Sequence, residues 1–461
     1  MSYRYETVVS HIKSEVDNGN LKPGKKVPSI RDISLKLKVS TSTVIRAYRE
    51  LEYLHIIYSV PKSGYYIVKS KGLKDQCSES KATDFLCPTP DNDVIPYTEL
   101  KHCINQAIDT YKEAMFTYTS YPRGIDSLRT VLARHLQNSQ IFVTKDDICI
   151  TSGVQQVLDI LARMPFPNGK RNVLVEQPTY AGMISCLKLN GVNAVGIKRT
   201  REGLDFNKLE AAFKYGNIKF FYTMPRFQNP LGLSYNFDEK SKIAKLAEKY
   251  DVYLVEDDYL GELSTDARED PLYCFDKAEK AIYIKTYSKT LLPGLRVAAV
   301  IVPEALSGAF LQYKMLCDKG TSIISQGALE IFINSGMFHK YEKKMKSIYE
   351  NKMNIFKEAY KKHGIADIPA YVPDSGFFVY MELPEKVNAK TLVSALHSQN
   401  VLTTDCEAMF LHSFQGNALR ISLSSVETGQ IGNGIRIISE EIGKMLDSGS
   451  RKKLLDYNMG W

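Results

Sequence analysis

Cysteine is sparse in this sequence: eight residues in 461, scattered, with no Cys-x-x-Cys pair among them. That excludes a zinc ribbon and, in so long a chain, a disulfide scaffold. The thiols read as reduced core or surface groups, and no metal site is expected. Long apolar runs are missing as well. No uninterrupted stretch approaches the roughly 18 residues of a membrane span, and the opening MSYRYETVVSHIKSEVDNG mixes charge with apolar side chains where a signal peptide would not. A cytoplasmic protein with no membrane partner is expected. An excess of one charge is nearly absent from residues 77–461, which balance to +1. Residues 1–76 hold 14 Lys and Arg against 7 Asp and Glu, so almost all of the net +8 sits in the first sixth of the chain. Such a distribution points to one segment that meets a polyanion. What is present, 44% hydrophobic residues over this length, supports a sizeable core and more than one domain.

The basic segment is patterned, as a solubilising tail is not. Val8, Val9, Ile12 and Val16 recur at helical spacing before Gly19, Pro23 and Gly24 break the chain. Ser29 is placed to cap a second helix, IRDISLKLK, whose apolar positions are Ile30, Ile33, Leu35 and Leu37. After a Val-Ser corner, TSTVIRAYRELEYLHII reads as a third helix with Val44, Ala47, Tyr48, Leu51 and Leu54 inward and Thr41, Ser42, Thr43, Arg46 and Arg49 outward. Helix, corner, helix is the spacing of a helix-turn-helix, whose second helix enters the major groove. IIYSVPKSGYYIV adds two β-prone runs across Lys62-Ser63-Gly64, a hairpin wing. The polar, aperiodic KSKGLKDQCSESKAT reads as a linker. The domains are therefore expected at 1–69 and 84–461, with the linker at 70–83.

LKPGKKVPSIRDISLKLKVSTSTVIRAYRELE together with SGYYIV resembles the winged helix-turn-helix of the GntR regulators, with a Pro-Gly turn, a Pro-Ser-x-Arg opening and a wing glycine. That family usually carries arginine at the corner where this chain has Thr41. The resemblance implies double-stranded DNA as a partner, with Arg31, Thr41, Thr43, Arg46 and the wing tip Lys62, Ser63 and Gly64 as its contacts.

From Asp84 onward, DICI, RNVLVE, VNAVGI, KFFYTM, VYLVED, AIYIKT and VAAVIV alternate with helical patterns such as Gln155–Met164 and Glu239–Tyr250. The alternation predicts an α/β body with a mostly parallel central sheet, and ligands of such sheets collect at the carboxyl ends of the strands. Polar groups stand at those ends: TSGVQQ, EQPTYAG, MPRFQNPLG, EDDYLGE and TYSKT. They suit a phosphorylated aromatic aldehyde. Gly153, Val154 and Gln155 open a helix whose N–H groups and dipole can hold a phosphate, and Thr286, Ser288 and Arg296 add donors. Tyr180 offers a ring face for stacking. Asp257 can pair with a protonated pyridine nitrogen while Asn229 and Tyr259 donate to a phenolic oxygen, and Lys289 can form a Schiff base with the aldehyde.

In this order, SGVQQ, QPTY, QNPLG, EDDY and YSKTLLPGLR resemble the fold-type I aminotransferases that use pyridoxal 5′-phosphate. The likeness is closest to the MocR-type subfamily of GntR regulators, which joins a winged domain to an aminotransferase-like body. The resemblance implies a smaller C-terminal α+β subdomain and an internal aldimine at Lys289, held by the residues just named. It implies that Arg420, in NALRISLSS, clamps the carboxylate of an amino-compound effector, a task suited to a planar guanidinium. It implies a homodimer in which Tyr118 or Tyr121 of TYTSYPRG reaches the partner's phosphate. Arg226-Phe227 stands where relatives commonly show Ser-His, which makes Arg226 a second effector-binding candidate. A DNA-reading head fused to a complete cofactor site predicts a transcriptional regulator that senses an amino compound or the cofactor itself, with residual transamination as a side activity. The alternative is a pyridoxal-phosphate-dependent aminotransferase with an accessory DNA-binding module.

Overall fold

Ser29 and Asp32 form a capping box: Ser29 Oγ accepts from the Asp32 backbone N–H at 3.2 Å, and Asp32 Oδ2 accepts from the Ser29 N–H at 3.1 Å. The pair satisfies two donors that a helix start leaves open. It begins α2 (Ile30–Leu37), which lies between α1 (Arg4–Asp17) and α3 (Thr41–Tyr53). Lys38 ends α2 in the left-handed region at φ 50°, and Ser40 Oγ accepts from the Thr43 N–H at 3.2 Å as α3 starts. Val44, Ala47, Tyr48 and Leu51 of α3 are buried in one core with Val8, Ile12, Val27 and Ile33. At about 1.5–3 kcal/mol per buried large apolar side chain, this core holds the three helices together. Tyr48 OH closes it by donating to the Pro28 carbonyl at 2.8 Å. Leu35, expected on the apolar face of α2, is instead 79% exposed. In so short a helix Ile33, flanked by half-buried Ile30 and Leu37, completes the contact. Leu54 lies outside the described residues. β1 (Ile57–Val60) and β2 (Gly64–Ile67) pair antiparallel, Val60 opposite Gly64, and Gly64 takes φ +111°, which suits a residue without Cβ.

These elements belong to one compact unit, Met1–Lys81; a second spans Ala82–Trp461. The computed structural model describes residues 4–22, 24–53, 56–60, 63–67, 82–116, 121–266, 269–364, 368–411 and 416–458.

The second unit begins with β3 (Thr83–Asp84), followed by β4 (Ile148–Thr151), β5 (Asn172–Gln177), β6 (Ala194–Thr200), β7 (Gly203–Leu204), β8 (Ile218–Thr223), β9 (Tyr253–Asp258), β10 (Ala281–Thr286) and β11 (Ala298–Ile301). Eight of these form one sheet in the order β4-β11-β10-β9-β8-β5-β6-β7. The run β10-β9-β8-β5-β6 is parallel, while β11 is antiparallel to both neighbours and β7 to β6. Helices pack against this sheet, so every residue of β8, β9 and β10 is buried. A polar side chain there needs an internal partner or a ligand.

The smaller C-terminal part holds β12 (Ala370–Tyr371), β13 (Phe378–Glu382), β14 (Val401–Leu402), β15 (Thr404–Asp405) and β16 (Ala418–Ser422), of which four make the sheet β12-β13-β16-β15. Thr83, assigned from sequence to the linker, is already folded: β3 pairs in parallel with β14, Thr83 opposite Val401. A two-residue strand carries no period that a sequence could reveal. Phe85, just beyond, is buried in one core with Val379, Leu419, Ile421 and Ile435. No helix among the described residues is long and apolar enough to cross a membrane.

Candidate functional site

Successive residues of a strand face opposite sides, and this alternation separates Asp257 from Asp258 at the end of β9. Asp257 lines a cleft of about 210 Å³; Asp258 turns the other way. Tyr222 OH, from β8, donates to Asp257 Oδ2 at 2.8 Å, while Oδ1 has no partner among the described residues. Burial pushes this carboxyl up to about 7. Lys289, three residues beyond β10, sends Nζ to the Pro88 carbonyl at 3.1 Å. Burial, with the charge of Arg420 second, holds its ammonium below the ordinary lysine range. Asn229 lines the same cleft, and its Oδ1 is also unpartnered among the described residues. Tyr259 OH donates to the Phe227 carbonyl, and burial raises its phenol well above the ordinary value. The Tyr180 ring lies over Gly182, where a Cβ would come within 2.5 Å of it.

One end of the cleft brings a helix start and a guanidinium together. Gly153, at φ +88°, opens the helix Val154–Arg163. A Cβ on Gly153 would lie 2.5 Å from Arg296 NH2, so the glycine lets that guanidinium close on the helix start. Arg296 also reaches Ser288 Oγ at 3.5 Å and the Ser152 carbonyl at 3.3 Å. Thr286 and Gln155 line the same cleft. First-turn N–H groups and a cation together favour negative charge. Elsewhere in the cleft stands Arg420, from β16. Its NH2 donates to the Leu86 carbonyl at 3.0 Å, its Nε has no partner among the described residues, and its Cζ sits 4.8 Å from the centre of the Phe378 ring.

Val154, Gln155, Tyr180, Asn229, Asp257, Tyr259, Thr286, Ser288, Lys289, Arg296 and Arg420 thus meet on one cleft. Arg226 does not, and the expectation that it binds an effector is corrected. Its NH2 and Nε grip Asp258 at 2.5 and 3.1 Å, its NH1 donates to the Glu269 carbonyl, and the two paired side chains are 5% and 1% exposed. Asp258, facing away from the cleft, draws the guanidinium with it. Tyr121 is half-buried and does not line the cleft of its own chain; Tyr118 lies outside the described residues. Sequence reasoning missed Tyr222, whose only signal was a hydroxyl in a buried strand that also carries Lys219 and Thr223. It also missed Pro88, whose contribution is a backbone carbonyl.

In the winged unit Arg31, Thr41 and Arg46 are exposed. The Arg46 guanidinium stacks on the Tyr5 ring at 4.3 Å, a contact that restrains a long side chain. Thr43 Oγ1 lies 2.8 Å from Ser40 Oγ, and Ser63 Oγ lies 2.6 Å from Tyr66 OH. Lys26, not singled out from the lysine-rich turn, reaches the wing: a Cβ on Gly64 would be 3.1 Å from its Cε. Lys62 lies outside the described residues.

Residues 91–438 match the family described as aminotransferase class I and II, and residues 4–67 match the bacterial regulatory proteins of the gntR family. The chain is 43% identical over 444 residues to a Bacillus subtilis (strain 168) protein named as an uncharacterized HTH-type transcriptional regulator, YcxD, covering 95% of this chain and 100% of that one. It is 25% identical over 471 residues to the similarly named YjiR of Escherichia coli (strain K12), covering 96% and 100%. Among solved structures, the kynurenine aminotransferase of Pyrococcus horikoshii in complex with PMP matches at a TM-score of 0.74 and 25% identity, covering 80% of this chain and 92% of that one. LysN, the α-aminoadipate aminotransferase of Thermus thermophilus complexed with N-(5′-phosphopyridoxyl)-L-leucine, matches at 0.73 and 25%, covering 80% and 94%.

Proposed function

The chain belongs to the aminotransferase class I and II family and carries a GntR head, the MocR-type pairing, and from that premise we propose that it is a DNA-binding transcriptional regulator that holds pyridoxal 5′-phosphate and responds to an amino compound. The observation that carries this reading is Asp257: a buried carboxyl with one oxygen paired and one unpaired among the described residues, opening onto the same cleft as the half-buried Lys289. A protonated ring nitrogen satisfies the orphan oxygen, and a phosphate suits the helix start at Val154 with Arg296 beside it. The residues therefore fit the group.

Bound there, pyridoxal 5′-phosphate supplies an aldehyde that an amine can capture and a ring that withdraws electrons. Lys289, its ammonium disfavoured by burial, is the amine for that aldehyde. Asp257 holds a proton on the pyridine nitrogen, Asn229 and Tyr259 flank the phenolic oxygen, and Tyr180 covers a ring face. Thr286, Ser288, Arg296 and the N–H groups of Val154 and Gln155 hold the phosphate. Arg420, with its Nε unfilled, takes a carboxylate. In the head, Arg31, Thr41, Thr43, Arg46 and the wing tip Lys62–Gly64 meet DNA, phosphates fixing position and base edges supplying sequence. A homodimer completes the proposal, with Tyr118 or Tyr121 reaching the partner's phosphate seat.

Identity of 43% that runs through head and body alike, to a protein named as a regulator, favours this reading over an aminotransferase with an accessory module. Its test sets sequence-specific DNA binding beside steady-state transamination in one cofactor-loaded preparation. Preferential binding to a duplex from upstream of its own or a neighbouring operon, altered by an amino compound, is expected. Turnover of about 1–1,000 per second with no preference over random duplex would overturn it.

A further inference from the structure

Glu176 and Arg199, near the carboxyl ends of β5 and β6, form a buried ion pair: NH1 meets Oε1 at 2.9 Å, with the side chains 0% and 1% exposed. Burying two charges costs desolvation, which further hydrogen bonds must offset. Two loops bordering the cleft supply them. Thr223 Oγ1 and Tyr235 OH also donate to Glu176 Oε1, at 2.5 and 2.6 Å, and Gln228 Nε2 donates to Oε2 at 3.0 Å. Arg199 adds NH1 to the Met224 carbonyl at 3.0 Å and NH2 to the Leu233 carbonyl at 3.1 Å. Both ends of the segment 224–235 are thereby pinned to the sheet.

Gln228 joins this segment to the other loop. Its Nε2 also donates to the Pro178 carbonyl at 2.6 Å, and its Oε1 accepts from the Leu231 N–H at 2.9 Å. Its backbone closes the turn from both sides, the N–H donating to the Leu233 carbonyl and the carbonyl accepting from the Gly232 N–H. Three groups of the cleft hang on these bonds. Pro178 lies two residues before Tyr180, and Asn229 follows Gln228 directly. Phe227, the residue before Gln228, gives its carbonyl to Tyr259 OH. Phe227 holds φ +51°, a left-handed conformation that a bulky side chain keeps only where its surroundings impose it. Its N–H donates to Ser234 Oγ at 3.2 Å, and Gln228 fixes the residue that follows.

Resting on the cofactor reading of this cleft, we propose that Gln228 is a positioning residue: without lining the cleft, its amide holds Tyr180 at the ring face and Asn229 and Tyr259 at the phenolic oxygen in one register. Groups carried on loops keep a fixed geometry only where side chains behind them are themselves locked by hydrogen bonds. Gln228 meets that condition, being 0% exposed with both its amide donor and its amide acceptor engaged. Methionine fills similar space but withdraws the donor from Glu176 Oε2 and from the Pro178 carbonyl, and the acceptor from the Leu231 N–H. The two loops then lose the side chain that ties one to the other.

The test uses the full-length protein, stripped of cofactor and titrated with pyridoxal 5′-phosphate. It reads the half-saturating cofactor concentration, the pH midpoint of the bound cofactor's absorbance change, and denaturant unfolding of the stripped protein. Gln228→Met should raise the half-saturating concentration roughly tenfold or more, the worth of one to three ordinary hydrogen bonds. Misplaced donors at the phenolic oxygen disfavour its charged form, so the pH midpoint should rise by roughly half a unit or more. Ile438→Ala, which opens a cavity in the core of the smaller C-terminal part, is the comparison; it should ease unfolding and leave the pH midpoint where it was. Gln228→Asn, whose amide is one methylene short of Glu176, should move both cofactor readings the same way and serves should the methionine variant not fold. A Gln228 variant that unfolds more easily while its cofactor affinity and pH midpoint match those of Ile438→Ala makes Gln228 a structural residue only and overturns the proposal, with the cofactor reading intact. Failure of the unsubstituted protein to take up the cofactor overturns that reading and this inference with it.

Discussion

Replacing Asp257 by Asn tests whether this carboxyl is kept for a ligand against the interest of stability. Asp257 is 4% exposed with Oδ1 unpaired, and it is raised from 3.8 to about 7, by burial first, with the Tyr222 hydrogen bond opposing. Between those values the folded chain keeps a proton that the unfolded chain has released. The stability this contributes is complete below the ordinary carboxyl value and is lost progressively as the pH rises to about 7. A shift of about three units corresponds to about 4 kcal/mol, an upper bound on the penalty carried at pH 8 by protein stripped of its cofactor. Asn keeps an acceptor for Tyr222 and removes the charge, but adds a buried N–H donor that costs about 1–3 kcal/mol. Asp257→Asn should therefore stabilise the stripped protein by about 1–3 kcal/mol at pH 8, and by less at pH 5. It should also weaken pyridoxal 5′-phosphate binding roughly 10- to 150-fold, the worth of a hydrogen bond to a charged group. Denaturant unfolding of the stripped proteins at both pH values and an absorbance titration of the cofactor read the two effects. A variant that is less stable at pH 8, or that binds cofactor as before, would refute the reasoning.

Arg226→Ala leaves Asp258 buried beside Lys285 without its bidentate partner and should cost about 3–5 kcal/mol in unfolding experiments while leaving ligand preference unchanged; altered preference at normal stability would restore Arg226 to the effector site. Lys289→Ala should abolish the borohydride-stable link to the cofactor, and mass spectrometry that finds the label on another lysine of the native protein defeats the assignment. DNA affinity should fall steeply with salt, given the +7 of residues 1–76, and Arg46→Ala should cost about 1–3 kcal/mol at one base position if that side chain reads a base edge; uniform weakening across sequences in a binding assay would make it a phosphate contact. Light scattering should show a dimer of the cofactor-loaded protein at micromolar concentration, and a monomer there would remove the partner's tyrosine from the site.

Much of the fold was readable in short windows. Ser29 and Asp32 specify a helix start within four residues, and the Val44, Ala47, Tyr48, Leu51 spacing specifies the face that is buried. The apolar runs of the parallel strands, with polar groups after each, marked strand ends whose side chains meet on one cleft. The failures share a cause. Leu35 satisfied the helical period and still faces water, because whether a stripe is covered depends on what packs against it. Thr83 looked like linker, because its pairing partner is Val401.

The amino-acid sequence alone determined the order of elements, the basic head, and the kinds of side chain at the strand ends, since caps, periods and charge runs act within a few residues. Tertiary structure decided which of two adjacent carboxyls faces the cleft. It decided that Arg226 is committed to a partner 32 residues away, and that Arg420 meets a backbone carbonyl 334 residues away. Such pairings form only where folding brings distant groups together and removes water from around them, and neither distance nor desolvation is written in local spacing.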